Sequence, residues 1–263
     1  MYIRKTKLMR NLKTRYASLL FLFVMFVFPS CTHYYYGPNS NNVPLLKQKN
    51  DAAIAGAFAA ADETSGFEFQ SAYAFANHVG GMLNFYTANG KRSGSNTSYS
   101  KGSATYVEIG GGYFTPVATE GRWIFETYAG IGTGTVNNSY SQTENSKVNA
   151  TKVFIQPSFG YRSNAGTFQA AISSRFSSVN LKLQQSTLNS NNSPDQYAKL
   201  QDLKNNGNNI YWEPSVVLRG GLSNVFFQLQ YTASSGFKTH TYLTQPDLIS
   251  LGVFFAFSGK PSK

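Results

Sequence analysis

The chain has 263 residues, 15% of them aromatic and only 13% charged, where ordinary soluble domains carry roughly 25% charged residues; this length suits one barrel or sandwich with an export segment, and a surface that does not face water throughout. The formal net charge of +11 suggests nucleic acid until Arg4, Lys5, Lys7, Arg10, Lys13 and Arg15 are set aside, since all precede the first apolar run. The remaining 17 basic and 12 acidic residues form no basic stripe interleaved with aromatics, so no nucleic-acid partner is expected.

Residues 1–30 read as a signal peptide: a basic start, the apolar stretch Ala17 to Phe28, and Ser30 beside a candidate cleavage point. The stretch is too short for a bilayer-spanning helix, which needs roughly 20 residues. Cys31 is the only cysteine, which rules out a disulfide framework. Phe28-Pro29-Ser30-Cys31 has the small residue that a lipobox places before its cysteine, with an atypical Phe three positions ahead, so Cys31 is the expected lipidation site. Residues 31–50 hold Tyr34, Tyr35, Tyr36, two prolines and several asparagines without periodicity. They read as a lipid-anchored, semi-rigid periplasmic tether.

Residues 51–263 form the barrel on this reading. From Ala52 the pattern becomes period-two alternation in runs of about ten residues, the signature of half-buried strands. Ten strands are expected, near 52–60, 66–76, 79–88, 104–116, 122–136, 151–162, 167–183, 210–220, 225–235 and 248–258. A short helical stretch over Asp195 to Lys204 is expected inside a loop. Connections alternate short and long: Asn77-His78, Thr119 to Gly121, Ser163 to Gly166 and Gly221 to Asn224 are tight, whereas 89–103, 137–150, 184–209 and 236–247 are long and polar. Only Ala61 to Ser65 is short where the scheme calls for a long loop. An even strand number with short turns at one end and long loops outside is how outer-membrane barrels are built. The fold class is therefore all-β, a ten-stranded antiparallel up-and-down transmembrane barrel, located in a bacterial outer membrane with both chain ends periplasmic.

The charges decide which face meets lipid. Trp212, Pro214, Val216 and Leu218 alternate with Tyr211, Glu213, Ser215 and Arg219; Val153, Ile155, Phe159 and Tyr161 alternate with Lys152, Gln156, Ser158 and Arg162. One face carries Glu68, Glu108, Glu126 and Glu213 with Lys152, Arg162, Arg175 and Arg219, four acids against four bases. A mid-bilayer Arg or Lys facing lipid would cost roughly 2–4 kcal/mol, so these charges are expected inside, paired, in a lumen filled by side chains. Arg175 and Glu213 are expected to meet at one height on adjacent strands. Tyr73, Phe75, Tyr113, Phe114, Trp123, Tyr161, Trp212 and Tyr231 suit interfacial girdles.

Gly130, Gly132 and Gly134 spell G-x-G-x-G, but they continue a strand where a phosphate loop needs a helix to follow. With Gly110 and Gly112 they read as space-making inward positions. His33, His78 and His240 are too scattered for metal-ligand spacing; no metal and no cofactor is expected. His240 could join a loop serine in a hydrolase triad, but serines are so abundant that this coincidence says little, and no enzymatic activity is expected.

Cys31, followed by Tyr36-Gly37-Pro38-Asn39 through Asn42-Val43-Pro44-Leu45-Leu46-Lys47 and then directly by alternating strands, resembles a family of uncharacterised Bacteroidota outer-membrane lipoprotein barrels. The resemblance covers the whole chain and implies location and fold, with no activity or catalytic residue. The expected role is structural or surface-interacting, with outer-membrane lipid as one partner and protein or glycan contacts through the long loops. Two alternatives remain open: a soluble periplasmic lipocalin-like barrel holding a small hydrophobic ligand, with its faces reversed, and a narrow pore.

Overall fold

A computed structural model of the chain describes residues 33–93, 99–117, 121–222 and 224–259, with backbone alone over 91–93 and 99–100. The signal segment and Cys31 lie outside the described residues. In chain order the elements are β1 (Tyr34–Tyr36), β2 (Ala52–Ala60), β3 (Ser65–Ala76), β4 (Val79–Ser93), β5 (Tyr99–Val117), β6 (Trp123–Ser139), β7 (Asn145–Arg162), β8 (Phe168–Ser186), α1 (Pro194–Asn206), β9 (Asn208–Leu222), β10 (Val225–Ala233), β11 (Ser235–Gly236), β12 (Leu243–Thr244) and β13 (Asp247–Phe257).

Ten strands, β2 to β10 and β13, pair antiparallel with their sequence neighbours, and β13 against β2 closes the cylinder. This is the expected ten-stranded antiparallel barrel. Several strands run further toward the long-loop end than the sequence indicates: β4 continues to Ser93 and β7 begins at Asn145. The added residues are mostly polar, with Val148 and Ala150 as isolated apolar positions on the inward face, so their ladder leaves little hydrophobic periodicity to read. The first long-loop connection, 61–64, is short, as expected. The ladder between β7 and β8 passes from Ile155↔Phe176 to Ser158↔Ser173, interrupted where Pro157 has no N–H to donate.

The faces sort by charge. Val216 and Leu218 are 48% and 44% exposed, whereas Glu213 and Arg219 are 0% and 1%. Ile109, Ile131, Val153, Ile172, Leu229 and Leu251 continue the outward apolar band around the wall. Tyr73, Phe75, Tyr113 and Trp123 face outward near the tight turns, and Trp212 and Tyr231 near the long loops. Phe114 does not join that girdle. It follows Tyr113 directly, alternation turns one of the two inward, and Phe114 is fully buried beside Tyr128 and Phe154.

The helix in the 187–207 connection is longer than the expected turn or two. Pro194 occupies its first turn, Asp195 complements the N-terminal end and Lys204 the C-terminal end, while Leu200 and Leu203 bury against Tyr35, Tyr36 and Tyr242. Asp202 on its other side accepts from the Asn206 amide at 2.6 Å, the Thr241 N–H at 2.5 Å and the Thr241 hydroxyl at 2.8 Å. These bonds hold its carboxyl down at about 2. A carboxyl depressed on folding contributes stability above its unfolded pKa of about 4 and loses it as pH falls through its folded value. Asp202→Ala is therefore expected to raise amide exchange in α1 and the 234–246 loop at neutral pH, with the barrel strands unchanged.

Candidate functional site

The predicted interior charges line the lumen, and a segment outside the barrel strands fills it. Residues 33–47, part of the stretch expected as a periplasmic tether, run through the cylinder. The reason is hydrogen bonding: the backbone groups of an extended segment inside a wall of strands need partners from that wall, and inward charges and amides supply many of them. Leaving one such buried group unpaired costs about 1–3 kcal/mol.

Four of the eight predicted interior charges bind backbone of this segment and join no ion pair among the described residues. Glu68 accepts the Ser40 N–H at 2.7 Å and Glu126 accepts the Leu46 N–H at 2.9 Å. Arg219 donates to the Val43 carbonyl at 2.8 Å, and Arg162, half-buried near the tight turns, to the Leu45 carbonyl at 3.3 Å. Amides complete the set: Gln70 donates to Ser40 O, Gln230 to Asn41 O and Gln156 to Asn42 O at 2.7–3.1 Å. These four charges thus serve main-chain groups, where mutual pairing was expected. Arg219 makes no ion pair within the described residues; Gln228 and Gln169 accept from it, and its guanidinium lies 3.6 Å from the Phe254 ring centroid.

The other four charges form one cluster. Arg175 and Glu213 are register partners on β8 and β9, and Arg175 Nε donates to Glu213 Oε2 at 2.7 Å. Glu108 pairs with Lys152 and, at 3.5 Å, with Arg175. The threaded segment completes this cluster too. Asn39 donates to Glu108 at 2.9 Å and accepts from Lys152 at 2.9 Å and, through its carbonyl, from Arg175 at 2.7 Å. The Tyr36 hydroxyl donates to Glu213 at 2.6 Å. Buried ions persist only when opposite charges and hydrogen bonds surround them, and here part of the hydrogen bonding comes from Tyr36 and Asn39.

Apolar layers lie above and below this polar middle. Toward the long loops, Tyr35 and Tyr36 pack with Tyr86, Tyr106, Tyr211 and Leu203. Toward the tight turns, Val43 and Leu45 pack with Ile124, Ala171 and Val217, and Leu46 with Met82 and Phe114. The wall is shaped for them: a Cβ at Gly160 would overlap Leu45, and one at Gly80 would press on Leu46. Gly160→Val is therefore expected to destabilise the barrel by about 1–3 kcal/mol through overpacking, and Leu45→Ala should restore part of the loss. Additive losses in a denaturant double-mutant cycle would contradict the contact. Gly130 and Gly134 serve the wall itself, leaving room for the Phe154 and Tyr106 rings.

The first described residues stand at the long-loop end. His33 Nε2 lies 3.3 Å from Ser139 O, and β1 pairs in parallel with β12. β2 and β13 have their free ends among the tight turns, whereas residue 33 stands at the opposite mouth. His240 stacks on Tyr242 at 3.8 Å between centroids, with Nδ1 2.6 Å from Tyr242 O. Among the described residues its hydrogen bond and ring contact are with that tyrosine.

Closed topology, an apolar outer band and a charged interior define a transmembrane β-barrel of the outer-membrane type, with residues 33–47 inside it. No family model matches the chain, and no curated protein matches it. Among solved structures it is similar to Ail, the attachment invasion locus protein of Yersinia pestis, with 11% identity and a TM-score of 0.37 over 81% of this chain and all of that one.

Proposed function

We propose that the protein is an outer-membrane lipoprotein barrel with a structural or surface-interaction role, anchored at Cys31 and acting through its long-loop end. The observation that carries this reading is the occupied lumen: residues 39–46 fill the bore and find hydrogen-bond partners on the wall. That favours a closed barrel over a narrow pore. The outward apolar band also argues against a soluble lipocalin-like carrier, whose ligand cavity requires the reverse arrangement.

Tight turns facing the periplasm and long loops facing outward follow the general construction of such barrels. The contact surface is then α1 with the 140–144, 187–193 and 234–246 connections, to which a protein or glycan would bind. Anchoring would form a bond from the Cys31 sulfur to the diacylglycerol of a glycerophospholipid. The headgroup phosphate leaves in this step and takes up the thiol proton.

The parent protein should incorporate labelled fatty acid, Cys31→Ser should not, and Cys31→Ser should still need detergent for extraction. Reconstituted in a planar bilayer, the parent should show no stepwise conductance. Release of Cys31→Ser by salt alone would overturn the membrane reading, and regular conductance steps would overturn the closed one.

A further inference from the structure

The geometry points to an anchor on the outside of the cell: His33 stands at the long-loop mouth, so a lipid on Cys31, two residues earlier in the sequence, inserts in the external leaflet. This rests on the lipidation and orientation proposed above.

Two strands independently record the direction of travel. Down β9, from the long-loop end to the tight turns, Tyr36 stacks on Tyr211 and donates to Glu213, Asn41 donates to Glu213 O, and the Val43 carbonyl accepts from Arg219. Down β7, Lys152 meets Asn39, Gln156 meets Asn42, and Gly160 and Arg162 meet Leu45. The segment therefore descends without reversing.

Both ends of the passage are tied. At the long-loop mouth, Asn138 donates to Tyr34 O at 3.1 Å and the Tyr35 and Tyr140 hydroxyls lie 2.6 Å apart. At the other mouth, Asn50 N donates to Ala74 O at 2.9 Å and Lys49 N to Asn77 Oδ1 at 3.3 Å. Cys31 precedes His33 by two residues, a reach of at most about 7 Å. The opposite side of the hydrocarbon core is about 30 Å away, so no arrangement of the intervening chain carries a lipid at Cys31 to the periplasmic leaflet while 33–47 stays threaded.

The test uses single-cysteine labelling in cells with a membrane-impermeant maleimide, at Tyr34→Cys, at Asn191→Cys in a long loop and at Asn164→Cys in a tight turn. The expected result is full labelling of Tyr34→Cys and Asn191→Cys on intact cells, and loss of label from Asn164→Cys until the cells are permeabilised. The parent, its one thiol consumed by lipid, should stay unlabelled. Tyr34→Cys behaving like Asn164→Cys, with Asn191→Cys labelled outside, would overturn the inference while leaving the barrel orientation intact. Asn191→Cys protected and Asn164→Cys exposed would overturn it by reversing that orientation. A labelled parent would overturn it by removing the lipid.

Discussion

Arg175→Ala is expected to lower barrel stability by about 3–5 kcal/mol, the scale for removing one partner of a fully buried ion pair. The guanidinium is 0% exposed and joins Glu213 on the adjacent strand, Glu108 across the lumen and the Asn39 carbonyl. Without it Glu213 keeps the hydroxyl donors Tyr36 and Ser177 but no direct ion-pair partner among the described residues, and a carboxylate held by hydroxyls in a dry interior is poorly compensated. Urea unfolding in lipid vesicles reads the loss directly. Replacing both partners, as in Arg175→Met with Glu213→Leu, should recover much of it, because well-packed apolar pairs can substitute for buried ions. A single-variant loss below about 1 kcal/mol, the range of exposed pairs, would mean that water reaches the cluster.

Deleting residues 33–46 is expected to have the largest functional effect. It removes the backbone partners of Glu68, Glu126, Arg162 and Arg219 and the Asn39 link to Glu108, Lys152 and Arg175. With about 1–3 kcal/mol for each buried group left unpaired, the bore must either fill with water or fail to form. The deletion variant should show stepwise conductance in planar bilayers or be lost from the folded fraction. A folded, non-conducting variant would show that the wall side chains close the lumen without the segment. Asn39→Ala is the milder form of the same experiment, and it should reduce stability without opening a path.

The barrel was legible because its information is local. Period-two alternation marks each strand, and the sorting of Glu213 and Arg219 against Val216 and Leu218 tells inside from outside without any coordinates. The Arg175–Glu213 pair could be placed too, since height above a tight turn counts residues on both strands. The interior charges were legible as residues, but their partners were not. Glu68, Glu126, Arg162 and Arg219 alternate like the other four, and nothing in a count of four acids and four bases separates ions that meet each other from ions that hold a main chain.

The threaded segment shows why. Asn39, Asn41 and Asn42 read as tether composition because an extended strand without neighbours and one surrounded by a wall share the same absence of periodicity. Gly80 and Gly160 were a usable signal only once Leu45 and Leu46 were known to lie against them.

Chain order by itself therefore determined the strands, their pairing and the orientation of the wall, because neighbouring strands interact at fixed residue spacing. Only the tertiary structure decided what occupies the bore and at which mouth residue 33 stands. Many of those contacts join positions more than a hundred residues apart, such as Tyr36 with Glu213 and Val43 with Arg219, and they depend on closure of the cylinder, which no local pattern encodes.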